Sequence, residues 1–147
     1  MKKSVVVLIG IIYIASIALV SFYGLKYKVF QEEIYVERLE LLNDDIKPAG
    51  GRLEGVDYYT TVSPDENGER RYQIKYRVFP DNATDQSVDF HLVPTTSDGE
   101  VSGVSIDKNG VVIFDGENVN SVIVQIIAKN ASSDDATVSI AIFAYGR

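Results

Sequence analysis

From Ser4 to Leu25 the chain reads SVVVLIGIIYIASIALVSFYGL, 22 residues without a charge. At ~1.5 Å per residue a helix of that length extends about 33 Å, enough to cross a bilayer core of ~30 Å. Lys2 and Lys3 precede the run, and Tyr23, Lys26, Tyr27 and Lys28 close it with the aromatic and basic residues that favour the headgroup boundary. The expectation is a membrane anchor over residues 1–28, in contact with lipid through Ser4–Leu25. A cleaved signal peptide is the competing reading, because Ser16-Ile17-Ala18 offers a small-x-small cleavage pattern. Against cleavage, the apolar run continues for seven residues past Ala18, and no polar stretch precedes the site. The expected mature chain therefore begins at or near Met1. Two lysines and the terminal amine on one side face two lysines on the other, and lysine is sparse just after Lys28. The expected orientation is N-terminus cytoplasmic, with the rest of the chain outside the membrane.

Charge separates that segment from the rest of the chain. All 21 acidic residues lie at or beyond Glu32, so the first 28 residues carry +4 and the remaining 119, with ten basic and 21 acidic residues, carry −11. A domain that acidic repels nucleic acid, which removes that partner class. Zero cysteines exclude a disulfide framework, a thiolate metal site and a cysteine nucleophile, and one histidine excludes any site that needs two. With 147 residues there is room for one domain, assigned to 29–147.

Within that domain the apolar residues alternate in short runs separated by turn residues, the pattern of a mainly β protein. Tyr27 to Asp45 mixes periods: its first half suits a stalk that extends the membrane helix, and VERLELL suits an edge strand. Asn43 to Val56, with Pro48 and Gly50-Gly51, reads as a loop. Strands are expected over Tyr58–Ser63, Arg71–Phe79, Ser87–Val93, Val101–Ile106, Val111–Phe114, Val119–Ala128 and Thr137–Ala144. Asn67-Gly68 and Asn109-Gly110 supply hairpin turns. In the second strand Tyr72, Ile74, Tyr76 and Val78 share a dry face. In the third, Val88, Phe90 and Leu92 face inward, while Asp89 and His91 face water.

The order of elements resembles the bacterial Ig-like domain of group 2, a surface β-sandwich family. Val78-Phe79-Pro80-Asp81-Asn82-Ala83-Thr84 is similar to that family's strand-then-corner motif. Phe90 in SVDFHL stands where the family usually has tryptophan. Val104, Asp107, Asn109, Gly110, Val111 and Val112 resemble its hairpin. The likeness runs roughly from Arg71 to Phe143 and departs from the family in lacking tryptophan and in a longer insertion before the Asn67-Gly68 hairpin. It implies an Ig-like β-sandwich of seven to eight strands. It implies no ligand, because such scaffolds carry varied partners. The corner also has a physical reading: Pro80 lacks an N–H and ends strand pairing, and Asn82 can bond its own backbone.

Several residues invite a chemical reading. Asp107-x-Asn109-Gly110 and Asp65-x-Asn67-Gly68 resemble the start of a calcium loop, but position 12 falls on Asn118 and on Tyr76, where an EF-hand needs glutamate. Both are expected to be hairpin turns. Ser87, Asp89 and His91 share one face of a strand, yet neighbours there stand about 6 to 7 Å apart, too far for a nucleophile to meet its base. Asp44-Asp45 and Asp134-Asp135 are read as solubilising pairs in polar loops. Asn82-Ala83-Thr84 and Asn130-Ala131-Ser132 match the glycosylation sequon, the first coinciding with the corner, which needs no glycan to explain it. Tyr58 and Tyr59 form the possible binding surface, since tyrosine brings large contact area at small entropy cost. No cofactor is expected.

The resulting expectation is a membrane-anchored, cell-surface module with a binding or structural role, without catalysis, and with a protein or envelope polymer as partner. Two alternatives stand beside it. One is a subunit of a membrane or envelope assembly in which the transmembrane helix makes specific contacts, although Gly10, Ser16 and Gly24 give no GxxxG. The other is a hydrolase with an unrecognised carboxylate site. A pilin also joins an apolar helix to a β-rich head, but no glutamate stands near the start of this apolar run.

Overall fold

The computed structural model describes residues 3–27, 32–96, 99–115 and 121–145. The chain divides into two compact units, Met1–Glu33 and Ile34–Arg147.

In the first unit, α1 runs from Lys3 to Tyr27. Its valines and isoleucines are mediocre helix formers in water. In an apolar medium the balance changes, because a helix is the one way for a lone segment to satisfy every backbone N–H and C=O within itself. The Ser16 hydroxyl follows suit by donating to the Ile12 carbonyl one turn earlier, at 2.8 Å. No part of the apolar stretch Lys3–Tyr23 is buried, and α1 is long and apolar enough to span a membrane.

The second unit is mainly β, with ten strands among the described residues. These are β1 (Arg38–Leu41), β2 (Lys47–Pro48), β3 (Tyr58–Val62), β4 (Arg70–Gln73), β5 (Tyr76–Phe79), β6 (Val88–Val93), β7 (Val104–Ile106), β8 (Val111–Phe114), β9 (Ser121–Ala128) and β10 (Thr137–Ala144). They form a five-stranded sheet in the order β2-β3-β10-β9-β6, a three-stranded sheet β4-β8-β7 and a two-stranded sheet β1-β5. All pairs are antiparallel except β3 with β10, where Ile140 lies opposite Tyr58.

The count corrects the expected seven to eight strands in two ways. The expected loop after Asn43 contains β2, which pairs with β3. The expected strand Arg71–Phe79 is two strands, because its partner changes at Ile74 and Lys75. Before the break β4 pairs with β8, and after it β5 pairs with β1. At the break the Ile74 N–H donates to the Gly110 carbonyl (2.9 Å), and the Lys75 N–H donates to the Asn43 side chain (2.7 Å). VERLELL supplies the edge strand expected of it, as β1.

Alternation decides what is buried. Val122, Val124, Ile126 and Ala128 of β9, with Val138, Ile140, Ile142 and Ala144 of β10, turn one face of the large sheet into the main core. Tyr72, Val78, Val112 and Phe114 from the smaller sheets, with Ile74 at the break between β4 and β5, join the same cluster. Burying one such isoleucine fully is worth about 1.5–3 kcal/mol. The opposite face of the large sheet is partly covered as well, because Ala49, Leu53 and Val56 fold over Ala141, Ile123 and Phe143. Ser139 fastens this cover. Its backbone N–H and its hydroxyl each donate to the Asp57 carboxylate at 2.8 Å.

Candidate functional site

The most distinctive surface is α1 itself. Val5, Ile9, Ile12, Tyr13, Ile14, Leu19 and Val20 are all exposed, with Val20 at 73%. An apolar surface of that extent is unfavourable in water.

The segment entering the β unit is pinned by four residues, Thr84, Asn130, Ser132 and Phe79. Thr84 exchanges two bonds with Ile34: the Ile34 N–H donates to the Thr84 hydroxyl (2.8 Å), and the Thr84 N–H to the Ile34 carbonyl (2.9 Å). The Val36 N–H donates to the Asn130 carbonyl (2.7 Å), and both the N–H and the hydroxyl of Ser132 donate to the Val36 carbonyl (2.9 and 3.0 Å). The Glu37 N–H donates to the Phe79 carbonyl (2.8 Å). The hydroxyl residues of both sequons, Thr84 and Ser132, thus clasp the same short stretch, and Val36 is fully buried within it. Sequence reading missed this clasp. Its signal was present only as two similar patterns, Asn-Ala-Thr and Asn-Ala-Ser, 48 residues apart, and nothing local says that they converge on one segment.

The Val78–Thr84 corner is tied down by charge. Arg77 grips the Asp81 carboxylate through Nε (3.0 Å) and Nη2 (2.6 Å), which holds the Asp81 carboxyl below its ordinary range. The guanidinium groups of Arg38 and Arg77 both lie over the Phe79 ring, at 4.4 and 4.8 Å from its centre. Asp81, rather than Asn82, carries these side-chain contacts.

Asp65 and Asp107 do identical work. In each turn one carboxylate oxygen accepts the backbone N–H two residues on and the N–H four residues on, all at 2.8–2.9 Å. Gly68 and Gly110 follow with φ of 79° and 80°, which a side chain would oppose. Above all the Val111 N–H, with those of Asn109 and Gly110, keeps the Asp107 carboxyl below its usual pKa. One oxygen of each carboxylate is thus spent on the backbone of its own turn. No group of three or more acidic or histidine residues suited to a metal occurs among the described residues.

Ser87, Asp89 and His91 are not brought together as a catalytic arrangement. Asp89 pairs with Lys129 (3.1 Å), Ser87 bonds Asp85, and His91 lies opposite Gln125 of β9. Asp44 is exposed, whereas Asp45 accepts the Thr60 hydroxyl (2.8 Å) and the Tyr72 phenol (2.9 Å). Burial, reinforced by the bond to Asp45, pushes the Tyr72 phenol above its ordinary pKa. Asp45 is therefore a fold tie as well as a surface charge. Asp134 and Asp135 are exposed in a short 3-10 turn. Tyr58 and Tyr59 are both half-buried and leave the sheet on opposite sides, Tyr58 against the main core and Tyr59 against the cover.

Two shallow concavities flank that cover: Asp57, Thr137 and Ser139 line one with the cover segment, and Leu53, Glu54, Val93, Pro94, Thr96 and Gln125 line the other. No family model matches the sequence, and no curated protein matches it.

Proposed function

We propose that this protein is a membrane-anchored Ig-like module that works by binding or by structural display, without catalysis. One observation carries the reading: the apolar span of α1 is exposed on every side, while the valines and isoleucines of β8, β9 and β10 form a buried core. A helix hydrophobic all round belongs in a buried or lipid environment. The proposed arrangement is a single pass, N-terminus cytoplasmic, with the β unit at the cell surface and a protein or envelope polymer as its partner.

Strand order supports the sandwich. Because β5 continues β4, the neighbours β1, β4/β5, β8 and β7 follow the A-B-E-D order of an immunoglobulin-type sheet. Meanwhile β6, β9 and β10 follow C-F-G, with β3 added in parallel beside the last strand. The shared core between these groups supports it too.

The test is extraction of membranes with alkaline carbonate. Full-length protein is expected to stay in the pellet, and a variant with Ile11→Lys and Ile14→Lys to move to the supernatant, since lysine at a span's centre costs about 3 kcal/mol per residue. Release of the wild-type chain would exclude the anchor. Protease added to intact cells should digest the β unit; full protection would reverse the orientation.

A further inference from the structure

Three sheets leave several strand edges, and shortness blunts two of them. At the ends of their sheets, β2 is two residues long and finishes in Pro48, and β7 has three residues. The longest is β6, six residues with neither proline nor lysine, the usual guards against edge pairing. Its inner edge belongs to β9. The Lys129 N–H donates to the Ser87 carbonyl (3.0 Å), so alternation along the antiparallel ladder gives the backbone groups of Asp89, His91 and Val93 to β9. The same alternation turns the N–H and C=O groups of Val88, Phe90 and Leu92 outward. Among the described residues no turn, loop or side-chain hydrogen bond reaches them.

We propose that β6 pairs antiparallel with β6 of a second copy of this chain, centred on Phe90. The choice of partner rests on self-complementarity. A two-fold axis at Phe90 sets Phe90 opposite Phe90 and Val88 opposite Leu92, so the outward backbone groups of both strands meet. It also sets Asp89 of each copy opposite His91 of the other, twice per dimer. Centring on Val88 would place Asp89 opposite Ser87, and centring on Leu92 would place His91 opposite Val93, each with a shorter overlap. Such an interface is isologous and closes at two copies.

Charge favours the same register. Lys129 holds one Asp89 oxygen, Oδ1, and the carboxylate stays half exposed. On this face His91 has Asp89 and Lys129 beside it on β6 and at the end of β9, and Gln125 directly across. Glu54 of the cover segment lines the groove with Gln125. Opposite charges directly across a strand pair stabilise it, and like charges oppose it. A cationic imidazole opposite a carboxylate is the attractive case, so acid conditions favour the pairing. The inference deepens the binding role by naming a partner, and it stands whether or not α1 spans a membrane.

The test is sedimentation of the full chain in detergent micelles, with His91→Asp and the charge swap Asp89→His/His91→Asp as variants. Both residues involved are exposed, so none of these changes touches the core. The wild type is expected to dimerise with a dissociation constant roughly tenfold lower at about pH 5.5 than at about pH 8. His91→Asp, which puts aspartate opposite aspartate, should weaken the dimer at the lower pH by a similar factor, and the swap should restore it. A mixture of Asp89→Cys and His91→Cys chains should cross-link more readily than either alone. A monomer at every pH, or a dimer indifferent to pH and to all the variants, as association through α1 would be, overturns the proposal.

Discussion

The helix α1 and the strand β9 are written in nearly the same alphabet and end in opposite surroundings. Ile11 and Ile14 of α1 are 59% and 69% exposed, whereas Val124 and Ile126 of β9 are fully buried. In β9 the apolar residues of the core face alternate with Ser121, Ile123, Gln125 and Ile127, so one face meets the other sheets and the second meets the cover. In α1 there is no alternation and no polar face to turn toward water. Hydrophobicity alone therefore does not say where a segment goes. The pattern of what interrupts it, and the surface available to receive it, do.

That contrast is broken most severely by cutting into the core face. Ile126→Ala should lower the stability of the β unit by about 2–5 kcal/mol, read as a drop in the urea midpoint of tyrosine fluorescence. Ile14→Ala, the same chemical change in α1, should leave that midpoint within about 0.5 kcal/mol. Equal effects would mean that α1 packs on the β unit.

A smaller effect belongs to the sheet's edge. Phe90 packs on the core with Val88 and Leu92, as alternation predicted, and its ring meets that of Tyr76 edge-on at 5.9 Å. It is half-buried because β6 is an edge strand, so Phe90→Ala should cost about 2 kcal/mol, less than the loss of a fully enclosed ring. A cost near zero would place Phe90 outside the core.

Smaller again is the contribution of the hairpin turns, and it depends on pH. The folded-state carboxyl of Asp107 titrates below its ordinary value, so its stabilisation is present above about pH 4 and is lost as pH falls through the depressed pKa. The wild-type urea midpoint should therefore fall more steeply between about pH 4 and pH 2 than that of Asp107→Asn. Parallel pH profiles would deny the turn its anchoring role. The smallest change is expected from His91→Ala, within about 0.5 kcal/mol, since the side chain is exposed opposite Gln125.

These residues also mark how far the sequence could be read. Period-2 alternation located β8 and β10 to the residue and gave the correct register for Val88, Phe90 and Leu92, because local spacing fixes which face a side chain takes. Asp65 and Asp107 were legible as turns for the same reason, since their bonds reach only four residues. The switch of partner at Ile74-Lys75 was invisible. Both halves keep the same alternation, and the change depends on Gly110 and Asn43, each more than 30 residues away. Asn43 to Val56 looked like plain loop because the purpose of its second half, covering Ala141 beside the Asp57–Ser139 bond, lies more than 80 residues away. The clasp of Thr84 and Ser132 around Ile34–Val36 escaped notice on the same grounds. Long-range pairing leaves little local trace, whatever its energetic weight.

The chain has no cysteine, so single cysteines placed one at a time report position cleanly. The most direct test of the difference between the two regions is labelling by a membrane-impermeant maleimide in sealed vesicles, with cysteine at Ile11, Ile14 or Ile17 of α1 and at Asp135 of the β unit. Cysteines in α1 should stay unlabelled until detergent is added, while the one at Asp135 reacts at once in vesicles that hold the β unit outside. Full labelling of α1 in intact vesicles would contradict the account, because the side chains left uncovered by the protein would then be uncovered by lipid as well.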